Sequence, residues 1–150
     1  MLRTPFTLRA ASPDEVDIAF EIKRDAMGPH IIAKWGWDEA FQREHHRRRW
    51  IEKPWQFICV GTSSVGTVSM HWKTDHLQLG EFYIVGSHRG KGLGSQVLEH
   101  VLRQADARNL ETRLEILKWN PVRSLYERHG FRVVGENDTH YLASRQPNAA

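Results

Sequence analysis

One hundred and fifty residues, 40% hydrophobic and 26% charged, match one folded domain with its own core. No apolar run approaches the roughly 18 residues of a membrane span, and Met1–Pro5 holds no apolar leader-like stretch. A single cysteine, Cys59, rules out an internal disulfide and fits a cytoplasmic protein, while the net charge of +3 resides largely in the run His45-His46-Arg47-Arg48-Arg49. In chain order, Phe6–Ala10 alternates and predicts a strand. Ser12-Pro13-Asp14-Glu15 is a capping box with proline at the first helical position. The helix it opens is expected to run to Met27, with Val16, Ala19, Phe20 and the stem of Lys23 inward, until Gly28-Pro29 breaks it. A second helix is expected from Trp37-Asp38 to Glu52, ended by Pro54. The basic run falls on that helix. No aromatic series or recognition motif accompanies it, so it reads as solvated helix face and not as a nucleic-acid patch. Adjacent His45 and His46 point to different sides of a helix and make a poor metal pair, so no metal is expected.

Strands are then predicted over Gln56–Thr62 and Val65–Lys73, with Ser63-Ser64 as the turn, and over Leu77–Val85. Cys59, inside Phe57-Ile58-Cys59-Val60, reads as core. A helix follows over 94–108, its face made by Val97, Leu98, Val101, Leu102 and Ala105, closed by Asn109. Thr112–Trp119 is a strand, Pro121–His129 a short helix closed by Gly130, and Phe131–Val134 and His140–Ser144 are the last strands. Residues 146–150 read as a frayed tail. No linker or repeat divides the chain, so residues 1–150 are expected to form one domain.

The run Tyr83-Ile84-Val85-Gly86-Ser87-His88-Arg89-Gly90-Lys91-Gly92-Leu93-Gly94 is a strand, a glycine-rich turn and a helix start. Glycines at alternate positions let backbone N–H groups approach a ligand, and the helix adds the positive end of its dipole. The combination suits a phosphate. The spacing is not that of a P-loop, because Lys91 is followed by Gly92 and no hydroxyl. Nor is it G-x-G-x-x-G opening a first βα unit. R-G-K-G-L-G resembles instead the coenzyme-pyrophosphate loop of the GNAT superfamily of N-acetyltransferases. Asn120-Pro121-Val122-Arg123-Ser124-Leu125-Tyr126-Glu127-Arg128-His129-Gly130-Phe131 resembles that family's second signature, in the expected order and at the usual distance.

The resemblance implies a mixed, mostly antiparallel α/β (α+β) sheet of about seven strands with helices on both faces. In it the strands Leu77–Val85 and Thr112–Trp119 are parallel and splay apart. It implies acetyl-coenzyme A as co-substrate, its pyrophosphate on Arg89, Gly90, Lys91, Gly92, Leu93 and Gly94. Its pantetheine arm would lie along Phe82, Tyr83, Ile84 and Val85, with Asn120 near that arm or serving only as a turn residue. Tyr126 matches the tyrosine beside the coenzyme sulfur and is the candidate acid. The base is left open between Glu81, which shares a strand face with Leu79 and Tyr83, Glu115, and an ordered water chain.

The acceptor side reads less clearly. In the family the link between the first two helices walls the acceptor. Here it includes His30, Trp35, Trp37, Asp38 and Glu39, and indoles beside acids suit a cationic amine or simply pack the helices. His71, late in a central strand, is a further candidate to face the pocket. The expected activity is acetyl transfer to a primary amine, on a small molecule or a peptide. The alternative is a non-catalytic acyl-coenzyme A-sensing or partner-binding module, which would have no need of Tyr126. No membrane partner is expected, and a homodimer is compatible with the sequence without being specified by it.

Overall fold

The computed structural model describes residues 4–118 and 120–148; the side chains of Lys34 and Trp35 lie outside what is described. Seven strands form one mixed sheet in the order β1-β2-β3-β4-β5-β7-β6, mostly antiparallel with one parallel pair. The strands are β1 Thr7–Ala10, β2 Gln56–Val60, β3 Ser63–Trp72, β4 His76–Ile84, β5 Glu111–Leu117, β6 Arg132–Glu136 and β7 His140–Arg145. Four helices join them: α1 Val16–Trp35, α2 Glu39–Glu52, α3 Leu93–Ala107 and α4 Arg123–Arg128. By packing, the chain forms two compact units, Met1–Ser69 with Glu81–Leu93, and Met70–Gly80 with Gly94–Ala150.

The first unit is built on β1, β2 and the first part of β3, with α1 and α2. Ala19 and Ile22 of α1 bury against Trp55, Phe57 and Cys59. His46 is buried too, its Nε2–H donating to the Val16 carbonyl at 2.9 Å and its ring between Phe20 and Trp55. The arginines beside it pair with acids of their own helix, exposed Arg47 and Arg48 with Glu44 and half-buried Arg49 with Glu52. The basic run is thus a solvated helix face with one buried histidine.

The structure departs from two local expectations. Helix α1 does not stop at Gly28-Pro29 but continues to Trp35. A residue before proline is normally pushed out of the helical region by contact between its Cβ and the proline ring. Glycine has no Cβ, so the Cβ part of that clash is absent here. Proline still removes the N–H that would have met the Asp25 carbonyl, and Arg89 Nη2 bonds the next carbonyl along, that of Ala26, at 3.0 Å. The β2–β3 turn is Gly61-Thr62, with Gly61 at φ +61°, and not Ser63-Ser64, which pair with Val60 and Cys59.

In the second unit, β4 and β5 run parallel only from His76↔Glu111 to Gln78↔Arg113. Strand β5 alternates: Thr112, Leu114 and Ile116 are buried, while Arg113 and Glu115 are exposed. It pairs along nearly its whole length with β7. The apolar face of α3, Val97, Leu98, Val101, Leu102 and Ala105, is buried. Asn109 and Gly130 close their helices at φ +55° and +95°. Part of the expected tail is tied down: the Asn148 N–H donates to Asp106 at 3.0 Å. The expected strand end at Trp119 and the last two residues lie outside the described residues. Among the described residues no helix is long and apolar enough to cross a membrane.

Candidate active site

The glycine-rich turn belongs to the first unit and is tied to α1. Beyond Ile84 the Val85 N–H still bonds the Val65 carbonyl of β3 (2.9 Å). The chain then makes one 3-10 turn, Gly86–His88. Asp25 of α1 accepts the Gly86 N–H at 2.7 Å. The Arg89 guanidinium folds back onto the carbonyls of Ile84 and Ala26, both at 3.0 Å. Asp25 and Arg89 therefore set the path of the loop. After them Gly90 and Gly92 take φ +72° and +81°, which L side chains resist. Among the described residues a Cβ on Gly90 would meet nothing within 4 Å, so that face is open. Lys91 is exposed, Leu93 is buried as an anchor, and the chain passes directly into α3, whose first turn has N–H groups without helical acceptors.

The strand leading into this loop is irregular. Glu81 has φ +47°, one of two such non-glycine residues among those described. Positive φ at a carboxylate residue costs on the order of 1–3 kcal/mol and needs surrounding support. Thr67 provides it, its buried hydroxyl donating to the Glu81 carbonyl at 2.7 Å. The Glu81 side chain is only 9% exposed and lies 3.9 Å from both Lys23 and Lys53. Tyr83 donates its hydroxyl to Oε2 at 3.3 Å, while among the described residues Oε1 accepts no hydrogen bond. Burial holds the Lys23 ammonium below its ordinary pKa, opposed in part by the Glu81 charge. Phe82, Tyr83, Ile84 and Val85 are half-buried. Gly66 of β3 lies so close that a Cβ there would collide with the Tyr83 carbonyl.

The link between the first two helices is only Gly36–Asp38, because His30 and Trp35 belong to α1. The Trp35 side chain lies outside the described residues. Asp38 caps α2, accepting the Phe41 N–H at 3.0 Å. Glu39 accepts from the Trp37 indole (2.8 Å), from Arg43 (2.8 Å) and from Arg24, and these donors hold its carboxyl down to about 2. Both acids at the link are thus engaged. The Trp37 ring lies against Phe20 and under the Arg24 guanidinium.

In the second unit Tyr126 is buried on α4, with Phe131 edge-on at 5.8 Å. Burial pushes its phenol well above the ordinary tyrosine range, so at neutral pH it is a proton-bearing group. The Tyr126 carbonyl accepts from the His129 and Phe131 N–H groups (3.0 and 3.2 Å), which ties the helix end to the start of β6. Asn120 makes a turn, its Oδ1 accepting the Val122 N–H at 3.0 Å just before α4. Glu115 is exposed on β5 and His71 is half-buried on β3.

A family model described as the acetyltransferase (GNAT) family matches residues 17–131. The chain belongs to this family. No curated protein matches it in sequence. Among solved structures, the GNAT fold aligns with the PaiA N-acetyltransferase of Thermoplasma acidophilum in complex with coenzyme A. The TM-score is 0.77 at 14% identity, over 95% of this chain and 99% of that one. An acetyltransferase from Thermus thermophilus aligns at TM-score 0.73 and 16% identity, over 97% and 99%. The ribosomal-protein-S18-alanine N-acetyltransferase of Escherichia coli aligns at 0.70 and 14%, over 97% and 96%.

Membership makes acetyl-coenzyme A the co-substrate of this GNAT acetyltransferase. The residues present fit such a molecule: a left-handed glycine with an open face precedes a helix N-terminus, with Lys91 beside it. Four supporting residues escaped sequence reasoning: Asp25, Lys23 as an ionic partner, Gly66 and Thr67. Only Gly66 had a signal to read, an isolated glycine inside a strand pattern, which marks close backbone approach.

Proposed function

We propose that this GNAT acetyltransferase acetylates a primary amine, on a small molecule or a peptide, as a single cytoplasmic domain. The observation that carries the reading is Glu81 Oε1, an almost fully buried carboxylate oxygen that accepts no hydrogen bond among the described residues. It stands on the strand that leads into the glycine loop. An ammonium or a bridging water supplies the missing donor, and Glu81 then takes the proton that an amine must lose before it attacks a thioester. The coenzyme supplies that thioester and a thiolate leaving group. The loop from Gly90 to Gly94 holds its pyrophosphate with backbone N–H groups and Lys91. Residues 82–85 and Asn120 flank its pantetheine arm, and Arg89 serves by shaping the loop. Tyr126, proton-bearing at neutral pH, donates to the departing thiolate. Trp37 and His71 offer rings to the acceptor. The engaged Asp38 and Glu39 leave charge recognition to Glu81.

A screen of amines by free-thiol release tests the activity, and one pair of variants tests the base. Glu81→Gln is expected to lower kcat by roughly 10²–10⁴-fold, and Glu115→Gln to stay within about threefold. Equal losses in both would remove Glu81 as the specific base. Tight acetyl-coenzyme A binding with no thiol release from any amine would return the chain to the sensing-module reading.

A further inference from the structure

The second unit contains a cavity of about 700 Å³, a volume usual for small-molecule sites. It is walled by the C-terminal half of α3, the end of α4, β6 and the end of β7. Four arginines line it, Arg103, Arg128, Arg132 and Arg145, and they are of two kinds. Arg145 is buried and fully occupied: two nitrogens grip Asp106 at 2.9 and 3.1 Å, and Nε donates to the His129 carbonyl at 3.0 Å. Arg103, Arg128 and Arg132 are exposed, and among the described residues their side chains make no ion pair, hydrogen bond or ring contact.

That idleness is unusual in this chain. The other described arginines outside the cavity have partners. Arg9, Arg24, Arg43, Arg47, Arg48, Arg49, Arg113 and Arg123 face carboxylates. Arg89 bonds two carbonyls and Arg108 lies 3.8 Å over the Trp72 ring. The described arginines left without a partner all line this one cavity. Its acids do not answer them, because Asp106 is taken by Arg145 and the Asn148 N–H, and Glu99 stands 3.7 Å from His129. Like charges around one cavity repel one another, and an anion reduces that cost. Guanidinium forks match phosphate oxygens in geometry. Leu102, Val134 and Pro147 add apolar wall against which a ring or sugar can lie.

We propose that this cavity binds a small phosphate-bearing molecule, of the size of a nucleoside phosphate, at a site separate from that of the coenzyme. Arg103 stands nine residues beyond Gly94 on α3, roughly 14 Å along the helix, so it does not serve the pyrophosphate loop.

The test is calorimetry on protein saturated with coenzyme A, which fills the loop site. Adenosine triphosphate is expected to bind once per chain. Arg128→Gln and Arg132→Gln should each weaken it roughly tenfold, and Arg103→Gln somewhat less, with melting temperatures near wild type because all three side chains are exposed. Inorganic tripolyphosphate should bind with the same arginine dependence, which identifies the phosphates as the recognised group. Binding of adenosine without tripolyphosphate would overturn that recognition. The proposal also fails if neither phosphate probe binds at millimolar concentration, if coenzyme A displaces them, or if folded variants bind undiminished. A short single-stranded RNA bound through these arginines in place of either probe would assign the cavity to nucleic acid and overturn the small-molecule reading.

Discussion

Residues 81–93 and the β5–β7 ladder are built by opposite rules. The ladder is regular: six consecutive pairs from Thr112↔Arg145 to Leu117↔His140, alternation of burial along β5, and a buried ion pair at one end. The 81–93 segment departs from regularity at each step. It has a carboxylate residue at positive φ, a carbonyl that tolerates only glycine opposite it, two further left-handed glycines, and an arginine spent on backbone carbonyls. The ladder stores stability in repeated small interactions. The segment gives some up, through strain that Thr67 and Asp25 must hold in place, and in return presents backbone N–H groups and leaves a buried carboxylate oxygen unbonded among the described residues. Variants in the segment should therefore show mainly in binding and rate, and variants around the ladder mainly in stability.

Tyr126→Phe is the exception that sharpens the contrast, since it lies in the regular unit and is proposed to act chemically. The ring and its contact with Phe131 remain, so the melting temperature should change little. Loss of a positioned acid is expected to lower kcat by roughly 10²–10⁴-fold while coenzyme affinity is retained. A kcat within about threefold of wild type, where chemistry limits the rate, would remove Tyr126 from the mechanism.

Asp106→Asn should instead be almost purely a stability change. It leaves the buried Arg145 guanidinium without its counter-charge, which costs about 3 kcal/mol, the low end for such pairs because Asp106 itself is 23% exposed. Arg145 and the Asn148 N–H hold the Asp106 carboxyl below the usual aspartate range. For a depressed acid the contribution is complete above the unfolded-state value, about 4, and is lost as pH falls through the lower folded-state value. Denaturant unfolding between pH 7 and 2 should show the wild-type advantage shrinking only in that acid window. An advantage that persists unchanged at pH 2 would show that the charge pair is not its source.

The two regions also differed in how much the sequence revealed. Alternation along β5 and the 3.6-residue spacing of α3 are burial patterns, and burial is what hydrophobic sequence records. Gly130 and Asn109 closed their helices as residue type predicts, since few residues accept positive φ. Glu81 offered no such sign: its strained backbone depends on Thr67, fourteen residues away, and glutamate is not a residue chosen for that conformation. Gly28-Pro29 misled because the two residues offset one another, an effect invisible when each is read as a breaker. Arg103, Arg128 and Arg132 lie on three elements, and only the fold brings them to one cavity.

Gly66→Ala tests whether the irregular segment is as finely set as its contacts suggest. The added Cβ meets the Tyr83 carbonyl and presses on the side chains of Ile58 and Ile84, at 3.0 and 3.3 Å. Overpacking of this kind costs roughly 1–3 kcal/mol. The carbonyl it displaces lies on the stretch proposed to flank the pantetheine arm, so acetyl-coenzyme A affinity should fall along with the melting temperature. Thermal melts with and without coenzyme separate the two effects. A lower melting temperature with full coenzyme affinity would show that the strand shifts as a body and that Tyr83 does not bear on binding.

The smallest expected effect comes from the α1–α2 link, where capping and acceptor contact are easily confused. Asp38 accepts the Phe41 N–H and so serves the start of α2, a role worth about 1 kcal/mol when replaced by alanine. Asp38→Ala should lower the melting temperature by a few degrees and leave the acceptor KM within about twofold. Trp37→Phe removes the indole N–H that Glu39 accepts but keeps a ring against Phe20. If the ring alone meets the acceptor, that variant too should hold its KM, while Trp37→Ala should raise it severalfold at unchanged coenzyme affinity. Steady-state kinetics on the three proteins, each checked for folding, reads the difference directly. A KM that rises in Asp38→Ala as much as in Trp37→Ala would return the acid to the acceptor site and the acceptor to a cation held there. The division of labour in the link, with acids for structure and the ring for recognition, would then be wrong, and Glu81 would no longer be the sole carboxylate facing the amine.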